Sequence, residues 1–303
     1  MKVLKLLAGA MTLTVAALLV LIFAYVTWMP RGPALTAVAP TPHGKGSFVM
    51  SAWKNSDRRT IRVWTYRPDA WSPEDPVLFV MHGMGRNAET YLDRWSEIAD
   101  RKGILLIAPE FDSRFAEYIT SDYQEGNLRN VFGAPNPESE WAFTAIENVV
   151  DHINAANDWS VTQYDMFGHS AGGQFVQRMV MVKPEARIRR AIAANAGTYA
   201  FPDSSIDFPY GVKGVSNDRG KSYARHLIIL LGENDTDAEQ GRLDQSARAM
   251  DQGDHRLERG MKFYAAAQAD AEQRGLPFNW QVSTVPDVGH DFRRMSEAAG
   301  ELF

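Results

Sequence analysis

Apolar positions repeat along this chain with two different periods. Residues 60–66 alternate polar and apolar side chains, as a half-exposed strand does, whereas residues 77–81 and 104–108 are unbroken apolar runs suited to strands buried on both faces. The first is expected to be antiparallel and the others parallel. Further strands are expected at 163–167, 188–194, 226–231 and 279–285. Between them the spacing changes to that of helices: residues 88–102 set Leu92, Trp95, Ile98 and Ala99 on one face, and residues 141–155 repeat apolar side chains in the same way. Residues 171–182, 257–274 and 291–303 complete the expected helices. Strands alternating with helices predict an α/β domain, its mostly parallel central sheet covered by helices on both faces.

One stretch has no polar period at all. Between Lys5 and Arg31 no residue is charged, and residues 6–29 form a run of 24 mainly apolar residues. As a helix rising ~1.5 Å per residue it would extend about 36 Å, enough for a hydrocarbon core about 30 Å thick with some tilt. A single N-terminal transmembrane helix over residues 1–29 is therefore expected. The alternative is a signal peptide, whose apolar region is usually about 7–15 residues long, cleaved after Ala37-Val38-Ala39. Lys2 and Lys5 precede the run and Arg31 follows it, which orients the N-terminus to the cytoplasm and the rest of the chain to the outside. Residues 30–45 hold four of the 15 prolines and read as an extended tether. No second linker or repeat follows, so residues 46–303 are expected to make one domain.

Composition narrows the function. At 45% hydrophobic and 23% charged residues, the 303-residue chain has the balance of a globular protein, which excludes disorder, collagen and coiled coil. Its 32 Lys and Arg against 37 Asp and Glu leave a net charge of −5. Residues 1–31 carry three bases and no acid, so the remainder stands at 29 − 37 = −8. Such a body has no bulk attraction for phosphate backbones, and nucleic acid is not an expected partner. The absence of Cys removes thiolate nucleophiles, thiolate-bound zinc and disulfides. The seven His show no His-Glu-x-x-His spacing and there is no Gly-rich phosphate loop, so neither a metal nor a nucleotide cofactor is expected.

The chemistry gathers where strands end. Gly168-His169-Ser170-Ala171-Gly172-Gly173 follows one apolar strand and precedes a helix, the place for a nucleophile held on a strained turn with small residues two positions either side. Serine is a poor nucleophile unless a base lies at hydrogen-bond range and a carboxylate orients that base. Gly232-Glu233-Asn234-Asp235-Thr236-Asp237 ends a later strand and makes Asp235 the candidate acid, with Asp237 and Glu233 as alternatives. His290, in the loop after the last strand, is the candidate base. Two backbone N–H groups should meet the oxyanion: that of Ala171, next to the nucleophile, and that of Met84, in the loop His82-Gly83-Met84-Gly85. His82 itself suits a supporting role beneath that loop. Asn195 and Gly197 end the strand after the nucleophile helix and have no assigned role. The long stretches 112–139 and 197–224 carry Phe115, Tyr118, Tyr123, Phe132, Tyr199, Phe201, Phe208 and Tyr210, which either wall an aromatic pocket or pin the loops to the sheet.

Together, the segment Asp75-Pro76 through Asn87-Ala88, Ala108-Pro109-Glu110, the serine elbow, Gly232-x-x-Asp235 and Gly289-His290 resemble the α/β-hydrolase superfamily, and within it the poly(3-hydroxybutyrate) depolymerase and feruloyl-esterase-like branch. The resemblance covers about residues 46–303. It implies the α/β-hydrolase fold and a serine hydrolase of small or oligomeric carboxylic esters, without metal or organic cofactor, with Ser170, Asp235 and His290 on the triad positions. Secreted polymer depolymerases of that family often append a linker and a polymer-binding domain, whereas here His290 stands 13 residues before Phe303. Identical triads also serve peptidases and acyltransferases, and a catalytically silent binding protein could keep the fold.

Overall fold

The computed structural model describes residues 2–54, 56–114, 117–215 and 218–303, without the side chains of residues 2–9, 26 and 27. Helix α1 (Lys2–Trp28) precedes a hairpin of β1 (Gly44–Trp53) and β2 (Ser56–Arg67). Then come β3 (Val77–Met81), α2 (Ala88–Lys102), β4 (Leu105–Glu110), the short α3 (Thr120–Tyr123), α4 (Ala142–Asn157), β5 (Tyr164–His169) and α5 (Ala171–Val182). β6 (Ile188–Ala194), α6 (Arg219–Ala224), β7 (His226–Gly232), α7 (Ala247–Met250), α8 (Arg256–Arg274), β8 (Gln281–Val285) and α9 (Phe292–Gly300) complete the chain.

The strands form one sheet in the order β1-β2-β4-β3-β5-β6-β7-β8. β2 is antiparallel to both its neighbours, and from β4 to β8 every pairing is parallel. Alternation along a buried strand explains the two layers. Val77, Phe79 and Met81 of β3 join the core that includes Phe143 and Ile146 of α4, Phe175 of α5 and Phe263 of α8. Leu78 and Val80 face the other way, onto Leu92 and Trp95 of α2 and Met295 and Ala299 of α9. Each such side chain contributes about 1.5–3 kcal/mol when taken out of water, so an unbroken apolar pentad is what a doubly covered strand requires.

Two expectations need correction at the N-terminal side. β1 went unrecognised because its sequence, with Gly44 and Gly46 in its first turn of pleat, alternates weakly until Phe48; its apolar half, Val49 to Trp53, is buried by pairing with β2. Residues 31–41 are extended, as expected of a tether, but they are bound to the domain. Arg31 N–H donates to Arg58 O at 2.9 Å and Thr60 N–H to Arg31 O at 3.1 Å. Thr60 Oγ1 donates to Pro33 O at 2.7 Å, Val49 N–H to Thr36 Oγ1 at 2.9 Å, and Thr41 N–H to Asn157 Oδ1 at 2.7 Å.

The transmembrane helix expected over residues 1–29 is not supported: among the described residues no helix is long and apolar enough to cross a membrane. α1 is continuous over Lys2–Trp28. Residues 6–9, 26 and 27 of the expected span lie outside the described side chains. Those that are described, such as Leu13, Leu18 and Leu21, are exposed.

The bonds of residues 31–41 set the boundary of the stable unit. A chain beginning at Pro30 is expected to unfold at least about 10 °C above one beginning at Gly46, because the shorter chain loses several hydrogen bonds worth about 1 kcal/mol each and two residues of β1. Thermal unfolding of the two truncations decides it, and equal midpoints would return residues 30–45 to the role of a free tether.

Candidate active site

β5 runs into α5 with a single residue, Ser170, between them. Its backbone sits at φ 58°, ψ −115°, in the left-handed region that disfavours a side chain at a cost of about 1–3 kcal/mol. Neighbouring backbone holds it there: Ser170 N–H donates to Ala194 O at 2.9 Å, and Gln174 N–H to Ser170 O at 3.0 Å. The flanking glycines are demanded by close approach. A Cβ on Gly168 would collide with the Gly172 carbonyl, and one on Gly172 with the carbonyl of Met81 at the end of β3. The turn therefore lifts the serine side chain clear of the sheet, as the spacing of small residues implied.

The structure brings three of the sequence candidates into one chain of hydrogen bonds. Ser170 Oγ lies 3.0 Å from His290 Nε2, and His290 Nδ1 lies 2.8 Å from Asp235 Oδ2. Nδ1 faces a carboxylate and so carries the ring proton, leaving Nε2 as acceptor toward the serine. Asp235, at the carboxyl end of β7, is 1% exposed. Its second oxygen receives Arg256 Nη1 at 3.3 Å. The two alternative acids point elsewhere: Asp237 is exposed and caps Glu239 N–H at 2.9 Å, while Glu233 takes Thr284 Oγ1 at 2.8 Å. Asp291 fixes the far side of His290 by capping α9, accepting from Arg293 N–H at 2.9 Å.

Asn195, left without a role by the sequence, is fully buried at φ 44°. Its Oδ1 accepts from Gly232 N–H at 2.8 Å and its Nδ2 donates to Gly289 O at 3.1 Å. One side chain thus joins the end of β7 to the loop that carries His290. Arg256, Tyr91 and His169 were missed. The His169 ring packs 4.6 Å from that of His290, and Tyr91 Oη lies 3.3 Å from His169 Nδ1. His169 stands inside the serine motif, where its x position hides it; Arg256 opens a largely polar helix and carries no pattern that separates it from other bases.

Met84 and Ala171 stand at the carboxyl ends of β3 and β5, beside the serine. Among the described residues neither amide has an acceptor, so both N–H groups are free to meet an oxyanion. His82 supports the first of these loops. Its Nε2 accepts from Phe111 N–H at 3.0 Å, its Nδ1 reaches Gly83 O at 2.9 Å, and its own carbonyl receives Tyr123 Oη at 2.7 Å.

A cavity of about 230 Å³ opens on Ser170 and Met84, lined by Gln124, Glu125, Gln174, Arg178, Tyr210, Arg242 and Asp244 among others. Its lining mixes polar and apolar groups, and among the described residues the expected aromatic wall is reduced to one ring. Tyr118, Tyr123 and Tyr199 are buried in the core, Phe201 and Phe208 pack against it, and Phe132 is exposed; Phe115 lies outside the described residues. Of the described rings Tyr210 alone lines the cavity. His290 faces a separate open groove with Gln240, Phe292 and Arg294. A cleft of about 450 Å³ around Trp159, Asp165 and Arg189 lies at the opposite ends of the strands, away from these groups.

No family model matches the chain, and no curated protein does. Solved structures do. Poly(aspartic acid) hydrolase-1 from Sphingomonas sp. KT-1 is 38% identical with a TM-score of 0.81, the match covering 87% of this chain and 98% of that one. LpqC, a poly(3-hydroxybutyrate) depolymerase from Bordetella parapertussis, is 34% identical with a TM-score of 0.80, covering 86% and 88%. An S-formylglutathione hydrolase from Agrobacterium tumefaciens, at 14% identity and a TM-score of 0.53 over 90% and 97% of the two chains, shares the fold.

Burial makes the two supporting histidines poor bases. His82 is pushed down to about 3, by desolvation first and by Arg86 second, and His169 well below its ordinary value by desolvation, His290 and Arg256. In the unfolded chain both bind a proton near pH 6.5, and in the folded chain they do not. Their contribution to stability is therefore complete above that pH and lost as pH falls, by about 1.4 kcal/mol per unit for each ring. Thermal unfolding at pH 5 is expected about 10 °C below that at pH 7. A midpoint that is flat or rises between these values would show that the rings take up protons without unfolding.

Proposed function

The chain belongs to the α/β-hydrolase superfamily, in its poly(3-hydroxybutyrate) depolymerase-like branch, and from that premise we propose that this hydrolase cleaves carboxylic esters through Ser170, His290 and Asp235. The observation that carries the reading is the unbroken relay, 3.0 Å from Ser170 Oγ to His290 and 2.8 Å from His290 to Asp235. His290 Nε2 takes the serine proton as Oγ attacks the ester carbonyl, and the N–H groups of Met84 and Ala171 receive the oxyanion. Collapse expels the alcohol with the proton from His290 and leaves an acyl-enzyme. Water, deprotonated by the same nitrogen, releases the acid. Asp235 keeps the imidazole in the right tautomer and balances its charge while it is protonated.

Amide hydrolysis on the same groups is the second reading. It is supported by the 38% identical poly(aspartic acid) hydrolase-1 and by the cavity itself, where the exposed guanidinium of Arg242 suits an acidic substrate. The domain sits outside the cytoplasmic membrane in this proposal; its support is the uncharged run of 24 residues with Lys2 and Lys5 before it.

A fluorophosphonate probe is expected to label the protein, and Ser170→Ala to abolish both labelling and ester hydrolysis while leaving the fold intact. Asp235→Asn should lower kcat by about 10³–10⁴ through a misoriented His290, against less than about twofold for Asp237→Asn. The reverse ranking would move the acid to Asp237, and an unlabelled wild type would make this a silent member of the fold. Fractionation of the full-length chain with N-terminal sequencing tests the location. Protein recovered outside the cytoplasm is expected, whereas protein confined to the cytoplasm would overturn the location.

A further inference from the structure

Tyr91 lies on the buried face of α2, and its side chain reaches three loops of the site at once. Its Oη lies 3.3 Å from Nδ1 of His169, the residue before the nucleophile. The same oxygen lies against Gly83, the residue before the Met84 amide, so closely that a Cβ on Gly83 would stand 2.9 Å from it. The ring stacks on Phe292, two residues beyond His290, with centroids 4.5 Å apart and planes 14° from parallel.

The proton of that hydroxyl has a definite place. Burial pushes the phenol well above its ordinary value, while a backbone hydrogen bond from Gly83 opposes the rise, so the group stays a neutral O–H near neutral pH. With Gly83 donating from one side, the O–H is left to donate to His169 Nδ1, which puts the ring proton of His169 on Nε2. Among the described residues this is the one hydrogen bond the His169 ring makes, since its Nε2 is buried without a partner. Desolvation keeps the ring uncharged. A neutral imidazole therefore stands 4.6 Å from that of His290, and Tyr91 decides how it is turned.

An oxyanion hole works only where both amides reach the same oxygen, and here they come from different strand ends, Met84 after β3 and Ala171 after β5. The pairing of those strands stops at Met81 and Gly168, short of both turns. His82 and Tyr123 tie the Met84 loop to the layer behind it, but neither reaches the serine turn. Tyr91 Oη spans that gap. Resting on the serine-hydrolase reading, we propose that Tyr91 is a positioning residue whose hydroxyl holds the Met84 loop and the Ser170 turn at a fixed spacing, while its ring carries the same register to the His290 loop through Phe292. The proposal also accounts for Gly83, where a side chain would press on the hydroxyl and meet otherwise only ordinary contacts, at 3.8 Å from Ser170 Cβ and Tyr91 Cζ.

The test combines Tyr91→Phe, which removes the hydroxyl and keeps the ring on Phe292, with Gly83→Ala, which presses on that hydroxyl from the loop side. The readouts are kcat and KM on 4-nitrophenyl butyrate and Ki for a trifluoromethyl ketone, whose adduct with the serine sets an oxyanion against the two amides; thermal unfolding checks the fold. Tyr91→Phe is expected to lower kcat about tenfold or more and to raise Ki by a similar factor, with KM within about twofold, because displaced amides fail the transition state rather than the bound ester. Gly83→Ala alone should show the same split. The double variant should return to within about threefold of Tyr91→Phe, since the group that the new methyl meets is gone. In a folded Tyr91→Phe, kcat and Ki that stay unchanged, or a KM that rises as far as they do, overturns the proposal, and so do single losses that multiply in the double variant. Should Tyr91→Phe not fold, the presence or absence of the split in Gly83→Ala decides. A wild type that neither hydrolyses the ester nor binds the ketone would instead overturn the serine-hydrolase reading itself.

Discussion

A carboxylate as buried as Asp235 survives in a protein interior only where positive charge and hydrogen bonds replace the water it has lost, and the whole site is arranged around that requirement. His290 meets one oxygen at 2.8 Å and Arg256 the other at 3.3 Å. Removing one partner of such a buried group costs about 3–5 kcal/mol, so neither contact is optional. Each compensating group also does something else. His290 turns its far nitrogen to Ser170, and Arg256 extends to Gln240 O at 2.8 Å and Gly241 O at 3.1 Å, the strap that lies between the cavity and the groove. The need to satisfy one charge therefore fixes both the orientation of His290 and the strap between the cavity and the groove.

The sheet makes this possible by ending its strands together. Met84 follows β3, Ser170 follows β5, Asn195 follows β6, Asp235 follows β7 and His290 follows β8, so residues far apart in sequence meet at one edge of a parallel sheet. Parallel pairing alone would leave the loops free to drift. Asn195 prevents that with two bonds, to Gly232 and to Gly289, which tie neighbouring strand ends across the site. Its φ of 44° is the backbone cost of aiming a short amide at both.

How much of this could be read from the sequence depended on whether the signal was local. The apolar pentad of β3, the helical spacing of α2 and the glycines around Ser170 each describe a constraint within a few residues, and each was legible. The candidates Ser170, Asp235 and His290 stood out because their loops follow strands. Asn195 and Arg256 carry no such mark, since their meaning lies in partners 37 and 21 residues away in the chain. β1 was hidden by glycine and serine at its start, and residues 31–41 by prolines that suit an extended segment whether it is free or bound.

The loops around the cavity show why aromatic content misled. Long irregular segments expose backbone carbonyls that no strand pairs with, and each must find a donor. Rings cannot supply one. Arginine can, with five N–H groups on a rigid plane, and three buried arginines do so here. Arg178 holds Gln124 O, Arg256 holds Gln240 O and Gly241 O, and Arg259 reaches Gly253 O at 2.8 Å, Gly197 O at 2.7 Å and Asp244 O at 2.9 Å. The walls are thus fastened by guanidinium-to-carbonyl bonds while most of the rings serve the core behind them. Donors committed to the backbone cannot also serve as loose counter-ions, which is why a carboxyl such as Glu125 can stand beside Arg178 without forming an ion pair.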